Sequence, residues 1–181
     1  MTDATPSNLA RLSRLMAWLA TIGLILWPAS DIFVYLHPAW AEGLNFDADH
    51  LGTVLNDGVP ILYRLAALAF SLGAEFFTVW ALWSLRALFL LYAEGEVFSP
   101  QALKLLNNIA VALFAGVIVG FVVHAPITLL LTWPLGHGHQ AISLNFGSDD
   151  VITLFSAGVG LVAARVMVEA RRLADENAKF V

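Results

Sequence analysis

Residues 88–108 read LFLLYAEGEVFSPQALKLLNN, and this stretch fixes a structure by local rules. An apolar run closes at Tyr92-Ala93-Glu94-Gly95, and a second opens at Ser99-Pro100. Gly95 suits the left-handed conformation that ends a helix. Ser99 suits the N-cap, where a hydroxyl accepts from an orphan amide of the first turn. Pro100 suits the first helical position, which needs no amide donor. Phe98 before the cap and Leu103 in the first turns have the spacing of a hydrophobic staple. The stretch is therefore a tight joint between two helices.

Outward from this joint the chain stays apolar. Of its 181 residues 59% are hydrophobic and 13% charged, with a mean hydropathy of +0.77. Soluble domains carry about 25% charged residues. The apolar residues fall in runs of about 20 or more, enough to cross ~30 Å of hydrocarbon as helices. The composition specifies an integral membrane protein. The chain has no Cys, which excludes disulfides, thiol redox chemistry and thiolate metal sites. The polar start MTDATPSNLARLSR leads into an apolar run too long for a signal peptide, so the first helix is expected to be retained.

The expected fold is all-α, an integral membrane four-helix bundle of two like-oriented hairpins in one domain over 1–181. The spans are placed at 15–36, 60–92, 100–132 and 151–168, with a helical tail over 169–181. Pro28 and Pro126 fall inside spans and are candidate kinks. Arg11, Arg14, Arg86, Lys104, Arg165, Arg171, Arg172 and Lys179 fall on one side, and Arg64 alone on the other. By the positive-inside rule both termini and the Gly95–Pro100 turn face the cytoplasm. The loops over 39–59 and 133–150 hold Asp, Glu and His but no Lys or Arg, and are placed outside. Leu44-Asn45-Phe46 recurs as Leu144-Asn145-Phe146, which raises a short extended pair in these loops or chance similarity.

Glu75 is the most costly residue. It falls ~22 Å from Pro60 by helical rise, with no Lys or Arg at that depth. An unpaired charge there is disfavoured in hydrocarbon, so a neutral acid is expected. Thr21 is placed at similar depth as a hydrogen-bonding neighbour. Two readings stay open: a proton- or cation-responsive site, and a structural acid that glues helices together. Asp31 and Arg64 are matched near the outer surface and read as a structural ion pair. His50, His137, His139, Asp47, Asp49, Asp149 and Asp150 could face zinc, but they lack a fixed ligand geometry and read as a solvated acidic face. Small residues at Ala112, Gly116 and Gly120, and at Ser156, Gly160 and Ala164, recur every four positions. The two stripes are expected to meet within one chain, with a homo-oligomer seam as the rival.

The turn GEVFSPQALKLLNNIA (95–110) and the tail EARRLADENAKFV (169–181) carry a likeness. Together with four spans they resemble the bacterial domain-of-unknown-function family 2975 of small membrane proteins. There a Gly-x-x-Phe-Ser/Thr turn precedes the third span, and a Leu-x-x-Glu-Asn tail, here Leu173 with Glu176-Asn177, ends near a terminal Val, here Val181. The resemblance implies an inner-membrane protein without established catalytic residues, often encoded beside small helix-turn-helix regulators.

No HExxH motif, phosphate-binding loop or thiol nucleophile is present, so neither an enzyme nor a cofactor is expected. The leading expectation is a sensing or regulatory membrane component. Its turn (Gly95, Phe98, Ser99, Pro100) and tail (Glu176, Asn177, Phe180, Val181) would dock a cytoplasmic protein such as a helix-turn-helix regulator, without binding nucleic acid itself. The alternative is a small transporter or channel subunit using Glu75.

Overall fold

The structure is a computed structural model. It describes residues 8–38, 58–136, 142, 144 and 147–177, without the side chains of Asp149, Arg171 and 173–177. The protein is an all-α four-helix bundle: α1 (Asn8–Leu36), α2 (Ile61–Ala93), α3 (Pro100–Thr132) and α4 (Ser148–Asn177), with a short 3-10 turn at Trp133–Leu135. All four helices are long and apolar enough to cross a membrane. Most of their large side chains point outward, including Ile25, Leu62, Val122 and Phe155. An apolar surface of that extent needs a lipid solvent, so the protein is a multi-pass membrane protein.

Two helices extend further than their apolar runs suggest. α1 starts at Asn8, seven residues before the expected span, and takes in Arg11 and Arg14. α4 is one helix through the charged segment to Asn177, held in part by the Arg172–Glu169 pair at 3.0 Å. α1 continues through Pro28 and α3 through Pro126. Among the described residues there is no strand. The proposed Leu-Asn-Phe pairing and the His/Asp-rich loop surface lie largely outside those residues, as do Phe180 and Val181.

Side-chain packing divides the chain into two compact units. The turn-end unit comprises Met1–Leu24, Phe77–Ala115 and Asp149–Val181; the loop-end unit comprises Ile25–Phe76 and Gly116–Ser148. In the turn-end unit, small residues repeat at heptad-like spacing. Ala10, Ser13, Ala17 and Ala20 are buried on α1, and Ala81 and Ser84 on α2, where Leu88 continues the buried face. Such seams let backbones approach, which is the main source of helix association in lipid. A Cβ placed on Gly23 would lie 3.5 Å from Leu82.

The α3–α4 seam is made differently from expectation. Gly160 on α4 faces Ala110, whose Cβ would lie 3.7 Å from an added one, and Ala164 is buried. Ala112 is fully buried as well, but two residues from Ala110 it points about 200° around the helix. Ser156 is exposed, with its hydroxyl donating to Ile152 O. Gly120 has no neighbour within 4 Å of where a Cβ would stand. The four-residue stripes therefore do not simply interlock. In the loop-end unit, Val123, Ile127 and Leu131 line one face of α3 and pack with Tyr35, Ala67 and Leu68.

The joint between α2 and α3 follows its sequence closely. Gly95 has φ +88. The Glu96 amide donates to Leu91 O at 3.0 Å and the Gly95 amide to Tyr92 O at 3.2 Å. This is the Schellman pattern. The Ala102 amide donates to Ser99 Oγ at 3.1 Å, and Leu103 N to Ser99 O at 3.1 Å, so Ser99 is the N-cap. Leu103 is buried, whereas Phe98 stays 63% exposed and covers little of the joint.

Replacing Ser99 by Ala is expected to cost about 1 kcal/mol. Gly95→Ala should cost ~1–2 kcal/mol, because a Cβ opposes the left-handed backbone. Chemical unfolding of the detergent-solubilised protein measures both. Gly95→Ala as stable as wild type would show that the joint does not need this conformation.

Candidate functional site

The loop-end unit holds a polar cluster built from two one-turn pairs. Asp31 and Tyr35 lie four residues apart on α1, and Ser71 and Glu75 four apart on α2, so each pair shares one helix face. The Ser71 hydroxyl donates to Asp31 Oδ2. Tyr35 is almost fully buried beside Ser71 and Asp31. Glu75 lies close enough to Asp31 for the two carboxyl groups to interact. A proton shared between them would supply the donor that two carboxylates lack. The result is one polar cluster in which Ser71, Tyr35 and Glu75 surround Asp31. Glu75 Oε2 is buried and has no partner among the described residues.

This geometry corrects two expectations. Asp31 and Arg64 do not form an ion pair. Arg64 turns back on its own helix start and donates from Nε to Val59 O at 2.8 Å. The register explains it: Asp31 lies against Ser71, and Ser71 is seven residues, ~10 Å of rise, beyond Arg64 on α2. Nor is Glu75 solitary, since its partner is the acid that had been assigned to Arg64. The signal was present in the sequence, as Asp31-x-x-x-Tyr35 and Ser71-x-x-x-Glu75 are both polar one-turn pairs inside apolar helices.

Thr21 is placed elsewhere, in the turn-end unit. Its hydroxyl donates to Ala17 O at 2.8 Å and accepts from Arg86 Nε at 3.0 Å. Arg86 also lies 5.8 Å from the centroid of the Trp83 ring, within cation–π range. Thr21's charged partner is thus Arg86, within its own unit. Thr21 and Arg86 border a cleft of about 430 Å³ with Arg14, Trp18, Leu90 and Glu94. Glu176 and Asn177 belong to the last turn of α4 by backbone.

Chemically, the cluster can hold a proton and donate or accept hydrogen bonds. Among the described residues no group of three His, Cys, Asp or Glu side chains is arranged to hold a metal ion.

The family described as Protein of unknown function (DUF2975) matches residues 9–181. No curated protein and no solved structure matches the chain.

The carboxyl pair generates a prediction. Glu75→Gln keeps size and a donor toward Asp31, and should leave stability within about 0.5 kcal/mol of wild type. Asp31→Ala strands the Ser71 and Glu75 groups and should cost about 1–3 kcal/mol. The infrared difference spectrum between wild type and Glu75→Gln at neutral pH should contain the C=O stretch of a protonated carboxyl. Absence of that band would remove the shared proton.

Proposed function

The chain belongs to the DUF2975 family, and on that premise we propose that it is a non-enzymatic component of the bacterial inner membrane with a sensing or regulatory role. Both termini and the Gly95–Pro100 turn face the cytoplasm in this reading, as the distribution of Lys and Arg favours. The turn and the α4 tail dock a cytoplasmic protein, for which a helix-turn-helix regulator is the candidate. The supporting observation is the order of the turn end. α4 runs past the apolar stretch that ends at Val168 into the charged segment and remains helical to Asn177. Beside it in the same unit, the joint is pinned by a Schellman closure and an N-cap. A helix continued into water needs no apolar residues, yet the tail carries Leu173, Ala174, Phe180 and Val181 among its charges.

A second reading has its own observation. Asp31, Ser71 and Tyr35 join Glu75 in one polar cluster, as a small transporter or channel subunit would require at its substrate or proton site. Against it, neither the Arg86 cleft nor the cleft beside Lys104 is lined by Glu75. The docking reading takes precedence, with the carboxyl pair as its protonatable element. A homo-oligomer is compatible with both.

Two measurements test the proposal. Single Cys residues at positions 45 and 145 should react with an impermeant thiol reagent on intact cells, and those at 96 and 176 should not. Labelling at 96 from outside would remove the cytoplasmic docking surface. The intact protein should co-purify with a soluble partner, and deletion of 178–181 should release it while the protein stays folded in the membrane. If intact protein retains nothing soluble, the docking reading fails, and uptake assays comparing wild type with Glu75→Gln decide the second.

A further inference from the structure

The turn-end unit carries a basic cleft that the functional reading above does not use. It lies between the first turns of α3 and the last turns of α4, with a volume of about 600 Å³. Lys104, Arg165 and Arg172 line it with Asn107, and Leu103 and Val168 form its apolar wall. Three cations therefore converge on one opening. The carboxylate beside them, Glu169, is already engaged by Arg172 at 3.0 Å, and both side chains are more than half exposed. An exposed pair of this kind is worth little and can rearrange around an anion.

A second cleft lies on the same helix. It measures about 530 Å³ and is bordered by Phe155, Gly158 and Val162 among others. Phe155 and Val162 are strongly exposed, and nothing stands within 4 Å of where a Cβ on Gly158 would be. Gly158, Arg165 and Arg172 are spaced by seven residues, so they fall on one face of α4. From Arg165 to Gly158 is ~10 Å of rise. One face of α4 thus runs from a cationic cleft near the end of its membrane-crossing stretch into an apolar notch within it.

We propose that this face is a binding site for an anionic phospholipid, with its phosphate held by Lys104, Arg165 and Arg172 and an acyl chain lying over Gly158. Charge complementarity selects the occupant. Guanidinium forks match phosphate oxygens bidentately, and basic pockets between membrane helices hold anionic headgroups. The apolar notch distinguishes a lipid from a free phosphate, which has nothing to place there. The site joins residues from α3 and α4, so an occupied site ties Lys104 to Arg165 and Arg172 across the seam of Ala110 and Gly160. It does not depend on the docking partner.

The test uses full-length protein in a neutral detergent, titrated with phosphatidylglycerol, cardiolipin, phosphatidylcholine or inorganic phosphate, and read by melting temperature and native mass spectrometry. The anionic lipids should raise the melting temperature and survive as bound adducts. Phosphatidylcholine and inorganic phosphate should do neither. The triple variant Lys104→Gln, Arg165→Gln, Arg172→Gln should lose at least tenfold in apparent affinity for the anionic lipids. Gly158→Leu fills the notch in open space, so it should fold normally and bind more weakly. An unchanged anionic-lipid response in the triple variant overturns the proposal. So does an equal response to phosphatidylcholine, which would mean a general apolar belt, or to phosphate, which would mean a small-anion site. If the triple variant fails to fold, Gly158→Leu decides: unimpaired lipid binding there overturns the site.

Discussion

Hydrocarbon offers a polar group no hydrogen-bonding partner, and most of this structure follows from that constraint. It forces the backbone into helices that satisfy their own amides. It also sorts the polar side chains. Thr21, Thr128, Thr132 and Ser156 each turn a hydroxyl back onto a carbonyl of their own helix. Two ionisable groups are met across helices instead. Asp31 meets the Ser71 hydroxyl, and Arg86 meets that of Thr21. In each case α1 and α2 bring a hydroxyl of one helix to an ionisable group of the other.

These contacts are weak by themselves. A side-chain hydrogen bond between membrane helices averages about 0.6 kcal/mol, so a few of them do not assemble a bundle. The small-residue seams through Ala17, Ala20 and Ala81 do more, because they let whole helix faces touch. Seams of small residues, however, tolerate sliding. A slip of one turn moves Asp31 ~5 Å from Ser71. Packing therefore supplies the affinity and the polar contacts select the register.

This division explains what was legible in the chain. The four helices and the Gly95–Ser99 joint depend on residues within a few positions of one another, and their composition and capping rules carry over directly. The partners of Asp31 depend on the register between two helices separated by a long loop. Matching depths by counting from the helix ends put Asp31 opposite Arg64, whereas the real contact is seven residues further along α2. The error also hid the cluster, because Glu75 looked isolated once Asp31 had been given another partner. The Ala110–Gly160 contact was missed for a rotational reason: a four-residue repeat drifts around an α-helix, so a stripe starting at Ala112 does not identify the face that α4 uses. The heptad-spaced set from Ala10 to Ala20 holds one face better, and its spacing was readable.

The two kinds of ionisable site differ in what they can do. A hydroxyl donates to a carboxylate as readily as it accepts from a guanidinium, but it cancels neither charge. Arg86 therefore keeps its charge beside Thr21, eased by the face of Trp83. The carboxyl pair is different, because it can hold a proton and its charge changes when that proton leaves. Without it, Asp31 and Glu75 repel across the contact that fixes α1 against α2, and Ser71 can still satisfy only Asp31. Glu75, with one oxygen already lacking a partner, would have nothing left to hold it. The same proton that makes the pair tolerable in hydrocarbon thus also makes the register of these helices conditional. A pair of amides at the same positions would hold the register without that dependence.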